Sequence, residues 1–138
     1  MNLIYQNPDL IKKILNESQT IAVVGLSDKA DRPSFGVALY LQNQGYKIIP
    51  INPNVSFVLG EKAYPDLSSV TEKIDVVDIF RRSEDVEPIV DQAIEKKARF
   101  IWMQEGIVNE SAAEKATEAG LEVVMDRCML KEHRRIHK

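Results

Sequence analysis

Residues that staple, ligate or attack are scarce in this sequence. It holds one cysteine, Cys128, which excludes an internal disulfide and suits a reducing compartment. Its two histidines, His133 and His137, both lie in the C-terminal tail, so no Ser-His-Asp spacing is available for a hydrolytic triad. Four residues apart, they share a helix face and can in principle hold a metal, but a fraying basic tail is the expectation. No apolar run is long enough to span a bilayer, since Ile21–Val24 and Ile48–Ile51 are only strand length. The opening Met1-Asn2-Leu3-Ile4-Tyr5 has neither the charged start nor the apolar stretch of a signal peptide, and a cytoplasmic location is expected. The formal net charge of −3 leaves no electrostatic footprint for nucleic acid.

The chain also lacks repeats, low-complexity stretches and linkers. At 138 residues, with a 44% hydrophobic and 28% charged composition, it fits one globular domain over 1–138. An N-terminal helix is expected at about 8–18 and a core at about 19–138. Asn7 as N-cap and Pro8 as first helical residue open that helix, and Leu10, Ile11, Ile14 and Leu15 form its apolar stripe.

Short β-branched runs then alternate with amphipathic ones. Strands are expected at Thr20–Gly25, Lys47–Ile51, Asp75–Phe80, Arg99–Met103 and Leu121–Met125. Helices are expected from near Ser34 to Gln44, around Val86–Ile94, from Glu110 to Ala119, and from Cys128 onward. Gly45 and Gly120 stand where left-handed helix ends belong. The stretch Leu59–Ser69 reads as loop, with one helical turn after Ser69. Such alternation predicts an α/β, Rossmann-like, doubly wound parallel sheet of five strands, expected in the order 3-2-1-4-5. In that order the first and fourth strands are neighbours, and ligands bind between their C-terminal ends.

The loop after the first strand carries Gly25, Ser27, Lys29, Arg32 and Ser34. Glycine permits close approach of the backbone, a following helix start favours phosphate, and the cations extend that preference. The dinucleotide pattern Gly-x-Gly-x-x-Gly is broken, with Ser27 and Ala30 at its third and sixth positions. No acidic residue follows the second strand, where Asn52-Pro53-Asn54 stands instead. Both departures weigh against an NAD(P)-dependent oxidoreductase, which stays as the alternative. The third strand ends in Phe80-Arg81-Arg82. These residues suit an adenine and a phosphate, or else a core aromatic beside solvated cations. Gln104, Glu105 and Gly106 end the fourth strand, in a position expected opposite Gly25. Cys128, beside Arg127 at a helix start, is expected to be buried and inert.

Six segments carry a family likeness in order. They are Val24-Gly25-Leu26-Ser27, Arg32-Pro33-Ser34, Pro50-Ile51-Asn52-Pro53, Val77-Asp78-Ile79-Phe80-Arg81, Trp102-Met103-Gln104-Glu105-Gly106 and Met125-Asp126-Arg127-Cys128. From Thr20 to His133 the chain resembles the small bacterial and archaeal coenzyme A-binding proteins. Their domain is similar to the N-terminal domain of the succinyl-CoA synthetase α subunit.

The resemblance implies that Gly25-Leu26-Ser27 meets phosphates and that Asn52-Pro53-Asn54 and Phe80-Arg81 line the adenosine side. It also implies that Gln104-Glu105-Gly106 completes the crevice. Arg32 and Ser34 join this set from the charge argument. The expectation is binding of coenzyme A or an acyl-CoA without chemistry of its own, because the chain stops one helix after the fifth strand and shows no catalytic set. A homodimer, or a role as ligand-holding partner of an acyl-CoA ligase, is the partner expectation.

Overall fold

The structure is a computed structural model that describes residues 3–137. Met1, Asn2 and Lys138, which belong to the terminal segments considered above, lie outside the described residues. A short 3-10 turn at Leu3–Gln6 precedes helix α1, Pro8–Glu17. The Asn7 side chain accepts from the Asp9 and Leu10 N–H groups, and Pro8 occupies the first turn, where its missing N–H costs nothing. Ile11, Ile14 and Leu15 are buried, as the 3.6-residue spacing requires.

The central layer is a five-stranded parallel sheet of β1 (Thr20–Val24), β2 (Lys47–Ile51), β5 (Val76–Ile79), β6 (Phe100–Met103) and β7 (Glu122–Val124). The other helices are α2 (Pro33–Asn43), α3 (Val86–Glu95), α4 (Glu110–Glu118) and α5 (Met129–Ile136). One face of the sheet packs on α1, α2 and α5 through Ile11, Ile14, Val37, Ala38, Leu41 and Met129. The other packs on α3 and α4, where Val86, Val90, Ala93, Ala112, Ala113 and Ala116 are fully buried. The alanines let α4 approach the sheet closely. Pro88 falls in the first turn of α3, where proline is tolerated.

The Rossmann-like α/β class matches the expectation, but the strand order needs correction. The sheet runs β2-β1-β5-β6-β7. Counted among the five long strands, that is 2-1-3-4-5 in place of 3-2-1-4-5. The third long strand, β5, inserts between β1 and β6. One feature accounts for this. The free edge of β2 is already taken, because the Tyr64 N–H donates to Pro50 O and the Asn52 N–H to Tyr64 O, both at 2.9 Å.

The expected loop after β2 contains a hairpin, β3 (Phe57–Val58) and β4 (Glu61–Lys62), and its helical turn comes earlier, at Leu67–Ser69. Leu59 and Gly60 turn the hairpin at φ +55° and +77°. Positive φ at both central residues is the two-residue turn that matches strand twist. A leucine in that conformation gives no sequence signal.

The tail also differs from expectation. His133 is buried, its Nδ1 lies 2.8 Å from the Tyr40 hydroxyl, and its ring stacks on His137 at 4.3 Å. It packs α5 on α2 in place of the free tail that was expected.

Candidate functional site

With β1 beside β5, the switch point of the sheet lies between their C-terminal ends. Gly25 leaves β1 at φ +89°, and its N–H donates to Ile51 O at 2.9 Å. A Cβ at this position would overlap the Phe80 carbonyl oxygen and lie 3.1 Å from the carbonyl carbon. The two strand ends therefore touch through backbone, which only glycine permits.

Beyond this contact the chain opens into a cavity of about 480 Å³. Gly25, Ser27, Arg32, Ser34, Phe80 and Arg81, six of the expected residues, line it. Ser34, in the first turn of α2, is buried and accepts from the Ser27 N–H at 3.0 Å. The Ser27 hydroxyl accepts from the Lys29 N–H at 3.0 Å, which closes the loop on itself. Arg32 is the N-cap of α2 and makes no side-chain capping bond, while Pro33 lacks an N–H and the Phe35 N–H donates to Arg32 O at 3.1 Å.

A second cavity of about 180 Å³ lies on the α3 side of the sheet. Pro53, Pro65, Leu67 and Ile89 give it apolar walls, and Arg81 lines both cavities. Gln92, also at its wall, accepts from the Leu67 N–H and so fixes the turn that forms its floor.

Other expected residues line neither cavity. Leu26 is fully buried in the α2-side core. Asn52 donates to Leu26 O at 3.0 Å and accepts from the Asn54 N–H at 2.9 Å, so its amide ties the loops together. Asn54 is exposed on the same turn.

The Gln104-Glu105-Gly106 turn is displaced from Gly25 by the intervening β5. Gln104 is buried and accepts from the Met129 N–H at the start of α5, Glu105 pairs with Lys131 at 3.0 Å, and the Gly106 N–H donates to Asp126 at 2.7 Å. The next residue, Ile107, reaches the larger cavity. The expectation that two glycine turns face one another is thus replaced by Gly25 facing Phe80.

Four further residues line the larger cavity outside the expected set: Pro33, Arg82, Asp85 and Ile107. Arg82 reads with Phe80 and Arg81 as suited to a phosphate but stands outside that set, and Pro33 lies between two of its members. Asp85 and Ile107 give no sequence signal, since each reads as an ordinary helix-start or loop residue.

Asp78, one strand position before Ile79, is fully buried between Val23 and Trp102, and neither carboxyl oxygen has a hydrogen-bond partner. Burial pushes its carboxyl well above the usual carboxylate range. It does not line either cavity. Among the described residues, no group of three metal-ligating side chains exists.

A protein family described as a CoA binding domain matches residues 19–134. The chain belongs to that family. The uncharacterized protein YneT of Bacillus subtilis (strain 168) is 44% identical over 130 residues, covering 93% of this chain and 96% of YneT. A hypothetical protein from Pyrococcus horikoshii OT3 superimposes with a TM-score of 0.92 at 40% identity, covering 96% of this chain and 93% of that one. The ADP-forming acetate–CoA ligase II of Archaeoglobus fulgidus is 32% identical over 74 residues, which are 52% of this chain and 11% of the ligase. The chain is thus similar both to small proteins of this length and to a segment of a much larger ligase. The NAD(P) alternative gains no support, because Asn52, at the ribose-binding position of dinucleotide enzymes, has its amide engaged within the protein.

Proposed function

We propose that the protein binds coenzyme A, or an acyl-CoA, across the two cavities and carries out no chemistry on it. The observation that carries this reading is Arg81, shared by a cationic cavity and an apolar one where β1 and β5 meet. A diphosphate over Gly25 and Ser27 meets Arg81 and Arg32, and guanidinium–phosphate pairing is strong and directional. The adenosine end suits the second cavity, where Pro53 and Ile89 offer apolar surface. The pantetheine arm then runs through the larger cavity toward Ile107. Among the described residues no helix is long and apolar enough to cross a membrane. The lone, unpaired cysteine supports a cytoplasmic location in this reading.

Thermal unfolding with and without ligand tests the reading. Coenzyme A at a hundred times its Kd adds about 2.7 kcal/mol and raises the midpoint. NAD at equal concentration leaves it unchanged. A shift with NAD and none with coenzyme A reverses the assignment. The ligase similarity supports a second reading, a ligand-holding partner for a ligase subunit. Recovery of such a subunit on the immobilised protein, dependent on coenzyme A, selects it.

A further inference from the structure

We infer that Asp85 is a built-in competitor for the ligand's phosphate groups, holding Arg82 until a polyanion draws it away. The inference takes its main ligand, coenzyme A, from the reading above. Three guanidinium groups, Arg32, Arg81 and Arg82, line the larger cavity, and Asp85 is the carboxylate among its described lining residues. Arg82 Nε donates to Asp85 Oδ2 at 3.0 Å, and Glu84 stands 3.6 Å from the same guanidinium. The short turn Ser83–Asp85 makes this contact, with the Asp85 N–H donating to Arg82 O at 2.9 Å.

Asp85 ends the Ser83–Asp85 turn and leads directly into α3 at φ −98° and ψ 1°, a backbone conformation that leaves its side chain off the helix amides, and its carboxylate is turned to Arg82. The Arg82 side chain is 74% exposed, so the pair is solvent-screened and weak. A phosphate offers more charge and more acceptor oxygens than one carboxylate and displaces it. An anion that Arg32 and Arg81 already neutralise leaves Asp85 in place. A more highly charged one recruits Arg82 as well. The pair thereby sets how much negative charge a ligand needs for full binding.

Calorimetric titration of coenzyme A and, separately, inorganic pyrophosphate tests this on four proteins: wild type, Asp85→Asn, Arg82→Ala and the double variant. Asparagine keeps the shape of the residue and removes its charge. The expected result is that Asp85→Asn tightens both ligands roughly two- to five-fold, the range of an exposed ion pair. That gain is largely lost when residue 82 is already alanine. Binding by Asp85→Asn no tighter than wild type overturns the inference, as does a gain that survives Arg82→Ala undiminished. If pyrophosphate shows the expected pattern and coenzyme A binds no form, the coenzyme A reading falls and the competitor role stands. If neither ligand binds any form, both fall.

Discussion

The backbone of Gly25 rests against the carbonyl of Phe80, with no room for a Cβ between them. This contact sets the spacing of β1 and β5 at the mouth of both cavities. Gly25→Ala must open it, and also places a side chain at φ +89°. The left-handed penalty alone is about 1–2 kcal/mol, and overlap with backbone adds to it. We expect a loss of roughly 2 kcal/mol or more in urea unfolding, together with loss of ligand binding. Wild-type stability in this variant would show that the strand ends do not meet.

Arg81 stands beside that contact, with its Nε 3.4 Å from the position of a Gly25 Cβ. In the proposed reading it meets the diphosphate, which coenzyme A and dephospho-coenzyme A share. Arg81→Ala is expected to weaken both roughly ten- to a hundred-fold, the worth of a charged hydrogen bond. Little change in unfolding should accompany it. A much larger loss for coenzyme A than for its dephospho form moves Arg81 to the 3′-phosphate.

Asp78 makes stability depend on pH. Its folded carboxyl titrates well above the ordinary 3.8 because of burial. The folded state therefore holds the proton more tightly than the unfolded chain. The stabilisation is complete below about 3.8 and is lost as pH rises through the folded value, at no more than about 1.4 kcal/mol per pH unit. Asp78→Asn has no charge to bury, and it is expected to be more stable than wild type at pH 7.5 by more than at pH 4.5. Equal differences at the two pH values would reject the buried-acid account.

His133 acts in the opposite sense. Burial first, and then His137, hold its imidazole below the ordinary 6.5. The folded state favours the neutral ring, so stability is lost as pH falls from above 6.5 through the folded value. His133→Gln should flatten that part of the wild-type stability profile. Proton NMR of the folded protein should show His133 half-titrated below pH 6.5, and a midpoint above that value contradicts the packing of its ring under Tyr40.

The elements that local patterns encode were legible before any coordinates. Asn7 and Pro8 start a helix because a polar cap and a fixed φ act within one turn. The run Ile21–Val24 is a central strand because apolar residues without alternation need two covered faces. Gly25, Ser27, Arg32, Ser34, Phe80 and Arg81 were readable as cavity-lining residues because they lie in the loop between β1 and α2, in the first turn of α2, or just past the end of β5.

Placement across the sheet was decided only by tertiary structure. Strand order depends on which edges are free, and Tyr64 closes the outer edge of β2 through hydrogen bonds that no local pattern announces. With β5 beside β1, the turn at Gln104-Glu105-Gly106 faces α5 and Asp126, and Phe80 takes the place opposite Gly25. The same holds for Arg82 and Asp85, whose pairing follows from the turn between them, and for His133, which looks like tail until α2 brings Tyr40 to it. Hydrophobic periodicity specifies what each segment becomes. Long-range packing and edge hydrogen bonds specify what it meets.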